Sequence, residues 1–293
     1  MAEKSLKIRG VEWHYATGGR GEQTLLLFHG ALGGAETMHG LAAAFEEEYR
    51  TVVPTVADVS TLGEVCDAAS AILDREHVGR AVVFGGSFGG MLAQAFFQRR
   101  RAQVQDLVLL TTNAPSPAAA AHTARTALFA RLFPFRLTRA LMRVEVSRQL
   151  DAPAPAIYAA RVAEFREQLA NYFDHTLTKR TLLSRVALNV DFNRNERYAP
   201  EAHEDWPGRV LIVESGDDPA HTPAERRRLR EAYPRAFVCT FPEGGHLLPL
   251  LRLEELVGLV KAFLKEDFST PDEIFGECSA AEGHEHLPQA GSR

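Results

Sequence analysis

Gly85-Gly86-Ser87-Phe88-Gly89 is preceded by Arg80-Ala81-Val82-Val83-Phe84 and followed by Met91-Leu92-Ala93-Gln94-Ala95-Phe96-Phe97. The first flank is a short apolar run of strand type, and the second is a helix-forming run. One serine among small residues at such a junction predicts a tight strand–turn–helix elbow. An elbow forces the serine into a strained backbone conformation and holds its hydroxyl clear of the sheet edge. Glycine is needed two positions to either side, because a side chain there would collide with the neighbouring strand and helix. The serine also falls at a helix N-terminus, where partial positive charge favours a developing anion. Alone, the stretch also fits a packing turn with an incidental serine, and its context counts against that reading.

Upstream, Thr24-Leu25-Leu26-Leu27-Phe28 reads as a strand buried on both faces, ending at His29-Gly30-Ala31-Leu32-Gly33-Gly34. Leu6 to Tyr15 reads as a strand or hairpin about Arg9-Gly10, Thr37 to Glu47 as a helix, and Thr51 to Val56 as a short strand. Asp58 or Ser60-Thr61 would cap a helix carrying Leu62, Val65, Ala69 and Ile72 on one face. Downstream, Asp106–Leu110, Arg209–Val213 and Ala236–Phe241 read as strands, with helices at Pro223–Ala232 and Leu253–Phe263. Strands alternating with helices predict an α/β fold with a mostly parallel sheet covered on both faces. Residues 1–113 and 207–267 form the expected core. Residues 114–206 carry apolar residues at helical spacing and no clear buried strand, which predicts a helical cap insertion. Residues 268–293 carry Pro, Gly, Ser and Glu without periodicity and read as a disordered tail.

The chain has 293 residues, 45% of them apolar, which suffices for a large core. Its formal net charge of −5 argues against a general nucleic-acid binder. Cys66, Cys239 and Cys278 are odd in number, widely spaced and without metal-ligand spacing, and read as reduced thiols. The first residues show no apolar signal region, and no apolar run approaches the ~20 residues of a membrane span. Leu247 to Leu264 is the most apolar segment, but Arg252, Glu254, Glu255 and Lys261 make it amphipathic. A soluble, cytoplasmic protein is expected, with nothing to fix its oligomeric state.

A serine hydroxyl is a poor nucleophile at neutral pH and needs a base, itself oriented by an acid. His246, in Glu243-Gly244-Gly245-His246-Leu247, follows the last buried strand and so lies at a strand's C-terminal end, where ligands bind in open α/β sheets. The acid is expected after the preceding strand, in Glu214-Ser215-Gly216-Asp217-Asp218-Pro219. Asp218 is favoured because it precedes a proline that redirects the chain. Asp217 is the alternative, and Glu214 lies closer to the strand. The order Ser, Asp, His is the one this fold expects. An oxyanion would need two backbone donors, the amides of Phe88 and of Ala31.

His29-Gly30, Gly85-Gly86-Ser87-Phe88-Gly89, Asp218 and Gly245-His246 together resemble the α/β-hydrolase superfamily over roughly residues 6–113 and 207–265. Within it, Phe84-Gly85-Gly86-Ser87-Phe88-Gly89-Gly90-Met91-Leu92-Ala93-Gln94, Ala187-Leu188-Asn189 and Glu231-Ala232-Tyr233-Pro234 look most like maspardin and its bacterial relatives. Maspardin is regarded as a non-catalytic, protein-binding member lacking the histidine, and this chain departs from it in having His246. The resemblance implies a serine esterase or thioesterase acting through an acyl-enzyme on a small-molecule acyl substrate, and the Phe- and Leu-rich cap suggests a largely apolar acyl or alcohol portion. The resemblance implies no cofactor, no metal and no nucleic-acid partner. A biosynthetic acyltransferase or cyclase using the same triad, or a non-catalytic interaction protein with a vestigial site, are the alternatives.

Other features read more plainly. Ala124 to Gln149 holds six arginines against the single acid Glu145, with Phe129, Phe133 and Phe135 interleaved. It reads as a cap helix with a solvated face, although a lid touching acidic lipids would look the same. His221 reads as a loop-surface histidine, and His29 as a structural member of its turn. His284-Glu285-His286 with Cys278 reads as tail rather than as a metal site.

Overall fold

The computed structural model describes residues 1–150, 156–197, 205–266 and 277–280. Its centre is a sheet of nine strands: β1 (Ala2–Ile8), β2 (Val11–Gly18), β3 (Thr24–Phe28), β4 (Arg50–Pro54), β5 (Ala81–Gly86), β6 (Val104–Leu110), β7 (Val210–Ser215), β8 (Phe237–Phe241) and β9 (Glu277–Ala280). The order across the sheet is β1-β2-β4-β3-β5-β6-β7-β8-β9. From β4 to β8 all neighbours run parallel, while β1, β2 and β9 join antiparallel. The apolar runs of β3, β5 and β6 are buried throughout, as parallel strands covered on both faces must be. Arg9 and Gly10 both take positive φ (49° and 86°), which makes the β1–β2 turn one whose twist matches the strands it joins.

Helices cover the two faces. α1 (His39–Phe45), entered by a tight turn over Ala35–Met38, packs with Leu256, Val260 and Phe263 of α10 (Leu253–Lys265) on one side. α2 (Leu62–Arg75) and α3 (Phe88–Arg100) pack on the other, where Phe96, Phe97 and Ile72 lie in the larger core. Thr61 caps α2 through a reciprocal bond with Glu64, so the cap belongs to Thr61 and not to Asp58. α8 (Pro223–Ala232) begins with the same device at Thr222 and Glu225, and α9 (Leu248–Leu251) is one short turn.

Between β6 and β7 the described residues form four longer helices: α4 (Pro117–Leu132), α5 (Phe135–Leu150), α6 (Ala159–Asn171) and α7 (Lys179–Asn195). α7 anchors them to the sheet. Its Ser184 donates to the carbonyl of Val59, its Arg185 to those of Val56 and Ala57, and its Asp191 accepts from the amide of Leu62 at the start of α2. Leu188 and Phe192 of the same helix are fully buried in the core beside α3.

Most of segment 268–293, including His284-Glu285-His286, lies outside the described residues. Its four described residues form β9, paired to β8 with Cys239 opposite Cys278. Cys239 is disulfide-bonded, and Cys66 is free and buried. The expectation of three reduced thiols therefore does not hold for Cys239. Directly opposed strand positions lie within the Cα separation a disulfide needs, a proximity that linear spacing conceals. Among the described residues, no helix is long and apolar enough to cross a membrane.

Candidate active site

Ser87 stands between β5 and α3 with φ 51° and ψ −120°, a conformation that costs a non-glycine residue about 1–3 kcal/mol. The surrounding packing enforces it. A Cβ on Gly85 would lie 2.1 Å from the carbonyl oxygen of Gly89, and one on Gly89 would lie 2.2 Å from that of Phe28 in β3. The turn is tied to β6 as well: the amide of Ser87 donates to Leu110 (3.0 Å), and Thr112 Oγ1 donates to the carbonyl of Ser87 (2.8 Å).

His246 reaches this serine from the other end of the chain. It lies in a tight turn, Gly245–Leu247, after β8, and Gly244 and Gly245 both take positive φ on the way in (142° and 57°). Its Nε2 is 2.9 Å from Ser87 Oγ and its Nδ1 is 3.1 Å from Asp218 Oδ2. Asp218 follows β7 and is buried. Burial alone would raise its carboxyl, but hydrogen bonds from His221, His246 and the amide of Ala220 outweigh that and hold it well below the usual carboxylate range. An ionised carboxylate only accepts, so Nδ1 of His246 is the donor. In the neutral ring, Nε2 is then left with a lone pair facing the serine hydroxyl.

The other two acids of this loop have separate partners. Asp217 accepts from Ser215 Oγ (2.6 Å) and from the amide of Gly245 (2.8 Å), so it holds the loop that carries His246. Burial would raise its carboxyl too, but these hydrogen bonds lower it overall. Glu214 is buried against Arg230 and Thr240.

His221 is not on the surface as the sequence led us to expect. It is buried, and its Nδ1 lies 3.0 Å from Asp218 Oδ2, the same oxygen that faces His246. The two rings are 5.2 Å apart. The amide of Ala220 bonds to Asp218 Oδ1 (2.8 Å), a local turn that folds the chain back. This turn brings the residue three positions on against the carboxylate, and the spacing Asp-x-x-His was its only signal. The ligand-type atoms of Asp218, His221 and His246 lie within 4.8 Å of one another, close enough to hold a cation. In this arrangement Asp218 Oδ2 instead accepts from both rings.

Phe88 opens α3, and Ala31 lies in the loop after β3. Phe28 and Gly85 are register partners, so these two loops leave adjacent strand ends. His29 is fully buried: its Nδ1 is 2.7 Å from the carbonyl of Gly30, and its Nε2 accepts from the amide of Val56 (3.0 Å). Burial, helped by the nearby Arg185, pushes it down to about 3, so the ring is neutral and ties two loops together. The buried guanidinium of Arg185 lies 5.9 Å from the centre of the Phe88 ring, a neighbour supplied by the inserted helices that the sequence did not reveal.

An alcohol, an imidazole and a carboxylate joined in a row at a strained elbow can make the alcohol a nucleophile. The sequence pattern of the alpha/beta hydrolase family matches residues 25–259, and the chain belongs to that family. No curated protein matches the chain. Solved structures with the same fold include a hydrolase from Pseudomonas aeruginosa (19% identity, TM-score 0.70, covering 89% of this chain and 98% of that one). A thermophilic esterase from Thermogutta terrifontis is 18% identical with a TM-score of 0.69, covering 91% of this chain and 99% of the other. An enol-lactonase from Burkholderia xenovorans is 19% identical with a TM-score of 0.69, covering 89% of this chain and all of the other. At these identities the likeness is one of fold.

Proposed function

We propose that the protein is a serine hydrolase that cleaves a carboxylic ester or thioester. The observation that carries this is the hydrogen-bonded row Ser87–His246–Asp218, with the serine held at the strained elbow. Ser87 Oγ attacks the acyl carbonyl while His246 Nε2 takes its proton. The amides of Phe88 and Ala31 receive the oxyanion, a pair in which each donor is worth about 3 kcal/mol of barrier. The C–O or C–S bond then breaks, and His246 returns the proton to the leaving alcohol or thiol. Water adds to the acyl-enzyme with His246 again as base, releasing the acid and regenerating Ser87. Asp218 keeps the imidazole in the required tautomer throughout. The helices inserted between β6 and β7 serve as the cap over a partly apolar acyl group.

Within the family, the motifs quoted above resemble those of maspardin-like bacterial members, and His246 favours catalysis over an interaction role. Acyl p-nitrophenyl esters and acyl thioesters of graded length, with product analysis in added alcohol or amine, test the proposal. Free acid as the sole product, lost in Ser87→Ala, is expected. An acyl adduct on the added acceptor would make the protein a transferase. Absence of turnover across the series, with no difference from Ser87→Ala, would favour an interaction protein.

A further inference from the structure

Outside the site, one surface departs from the rest of the molecule. Among the described residues, Met1 aside, every large apolar side chain that is exposed lies between Leu128 and Ile157. Leu128, Phe129 and Leu132 form a stripe at the end of α4, and Leu132 is 73% exposed. Phe133, at the corner, stacks on Phe129 with ring centres 3.9 Å apart. Leu137, Leu141 and Val144 continue the exposed series at i, i+4 and i+7 along α5. A solvated helix face would carry polar residues at these positions.

The charge carried by α4 and α5 is predominantly positive. α4 contains no acidic residue, and α5 only Glu145. Arg139 and Arg143 are engaged within the insertion, by the carbonyl of Phe173 and by Asp174. Arg125, Arg131 and Arg136 are exposed beside the apolar stripes and have no ion-pair partner among the described residues. A symmetric pairing of two copies would set these three guanidinium groups against the same three. A surface of fixed negative charge over an apolar interior meets both features at once: guanidinium groups at the headgroups, leucines and phenylalanines just beneath.

We propose that the α4–α5 corner is a docking surface for an anionic lipid bilayer. The same helices reach the site. Val146 of α5 packs in a cluster with Leu32 and Leu247, each one residue beyond Ala31 and His246 respectively. Docking therefore sets the bilayer one helix away from these residues, near where apolar acyl compounds concentrate. The inference goes beyond the hydrolase assignment, and its test needs no turnover.

The test is co-sedimentation of the full chain, as wild type and as Ser87→Ala, with vesicles of phosphatidylcholine alone or mixed with phosphatidylglycerol. Analytical ultracentrifugation without lipid is run alongside. Both proteins should sediment with the mixed vesicles, not with phosphatidylcholine alone, and high salt should release them. Replacing Arg125, Arg131 and Arg136 together with Gln should weaken the partition on the order of a hundredfold. Leu132→Asp should weaken it about tenfold, with the circular dichroism of both variants unchanged. Three outcomes would overturn the proposal. One is equal binding to neutral vesicles, and another is binding indifferent to these substitutions. The third is no lipid binding, whether or not the protein forms a concentration-dependent dimer that Leu132→Asp dissolves.

Discussion

Asp217 and Asp218 are adjacent in the chain, yet their carboxylates face different groups. Asp218 accepts from the ring of His246, while Asp217 accepts from the backbone amide of Gly245 in the loop that carries His246. In Asp218→Asn the amide can present an N–H to Nδ1 and favour the wrong tautomer, so turnover should fall about 10⁴-fold with the fold intact. Asp217→Asn keeps an oxygen acceptor and should lose no more than about tenfold, the worth of one ordinary hydrogen bond. Steady-state rates of the two variants check this, and the reverse order would reassign the acid. His221 shares the Asp218 oxygen with His246. Removing it in His221→Ala loosens the carboxylate and should lower kcat about tenfold at unchanged KM. It also leaves that oxygen wholly to His246, so the acid limb of kcat/KM should move to higher pH. His221→Asn, which restores an N–H near the same place, should recover both, and an unmoved pH profile would leave His221 a packing residue only. Ser87, His246 and the acidic pair were legible because strand ends and glycines mark their places. The contact of His221 was not, because it depends on a side-chain-to-backbone turn.

At the scale of elements, the elbow is a junction with no room to spare. Gly89→Ala would drive a Cβ against the Phe28 carbonyl, which belongs to a central strand and cannot move aside. A loss of about 3 kcal/mol or more in urea unfolding is expected. Ser87→Gly relieves a positive φ and should instead stabilise by about 1 kcal/mol while abolishing turnover. Together the two measurements separate crowding from backbone strain. β3, β5 and β6 could be read in advance because continuous apolar runs bounded by glycine or polar turns leave few other folds open. β9 could not: Glu277-Cys278-Ser279-Ala280 has no apolar pattern, and its place comes from backbone pairing with β8. The helices between β6 and β7 were foreseen as helices. Their exposed apolar stripes were not, because apolar residues at helical spacing are ordinarily a buried face.

Across the whole molecule, a neutral histidine buried at the centre couples stability to pH. His29 joins the loop after β3 to the loop after β4 and is pushed down to about 3, against 6.5 for the ordinary group. Between those values the unfolded chain binds a proton that the native protein does not. Stability is therefore fully present above about pH 6.5 and falls as pH drops through the window, by at most about 1.4 kcal/mol per pH unit from this one group. The carboxylate of Asp218, held low, adds its own loss only below its ordinary value of about 3.9. Urea midpoints measured from pH 7 to pH 4 should decline in wild type, and the decline should be shallower in His29→Gln. An equal slope in both would move the origin of the acid sensitivity elsewhere. The sheet and its two loops converge on one event, the activation of the Ser87 hydroxyl by His246. A fluorophosphonate reports that event without knowledge of the substrate. Intact mass should show one adduct on the native protein, mapped to Ser87, absent in Ser87→Ala and strongly slowed in His246→Ala. Labelling of the native protein no faster than that of Ser87→Ala would contradict the account.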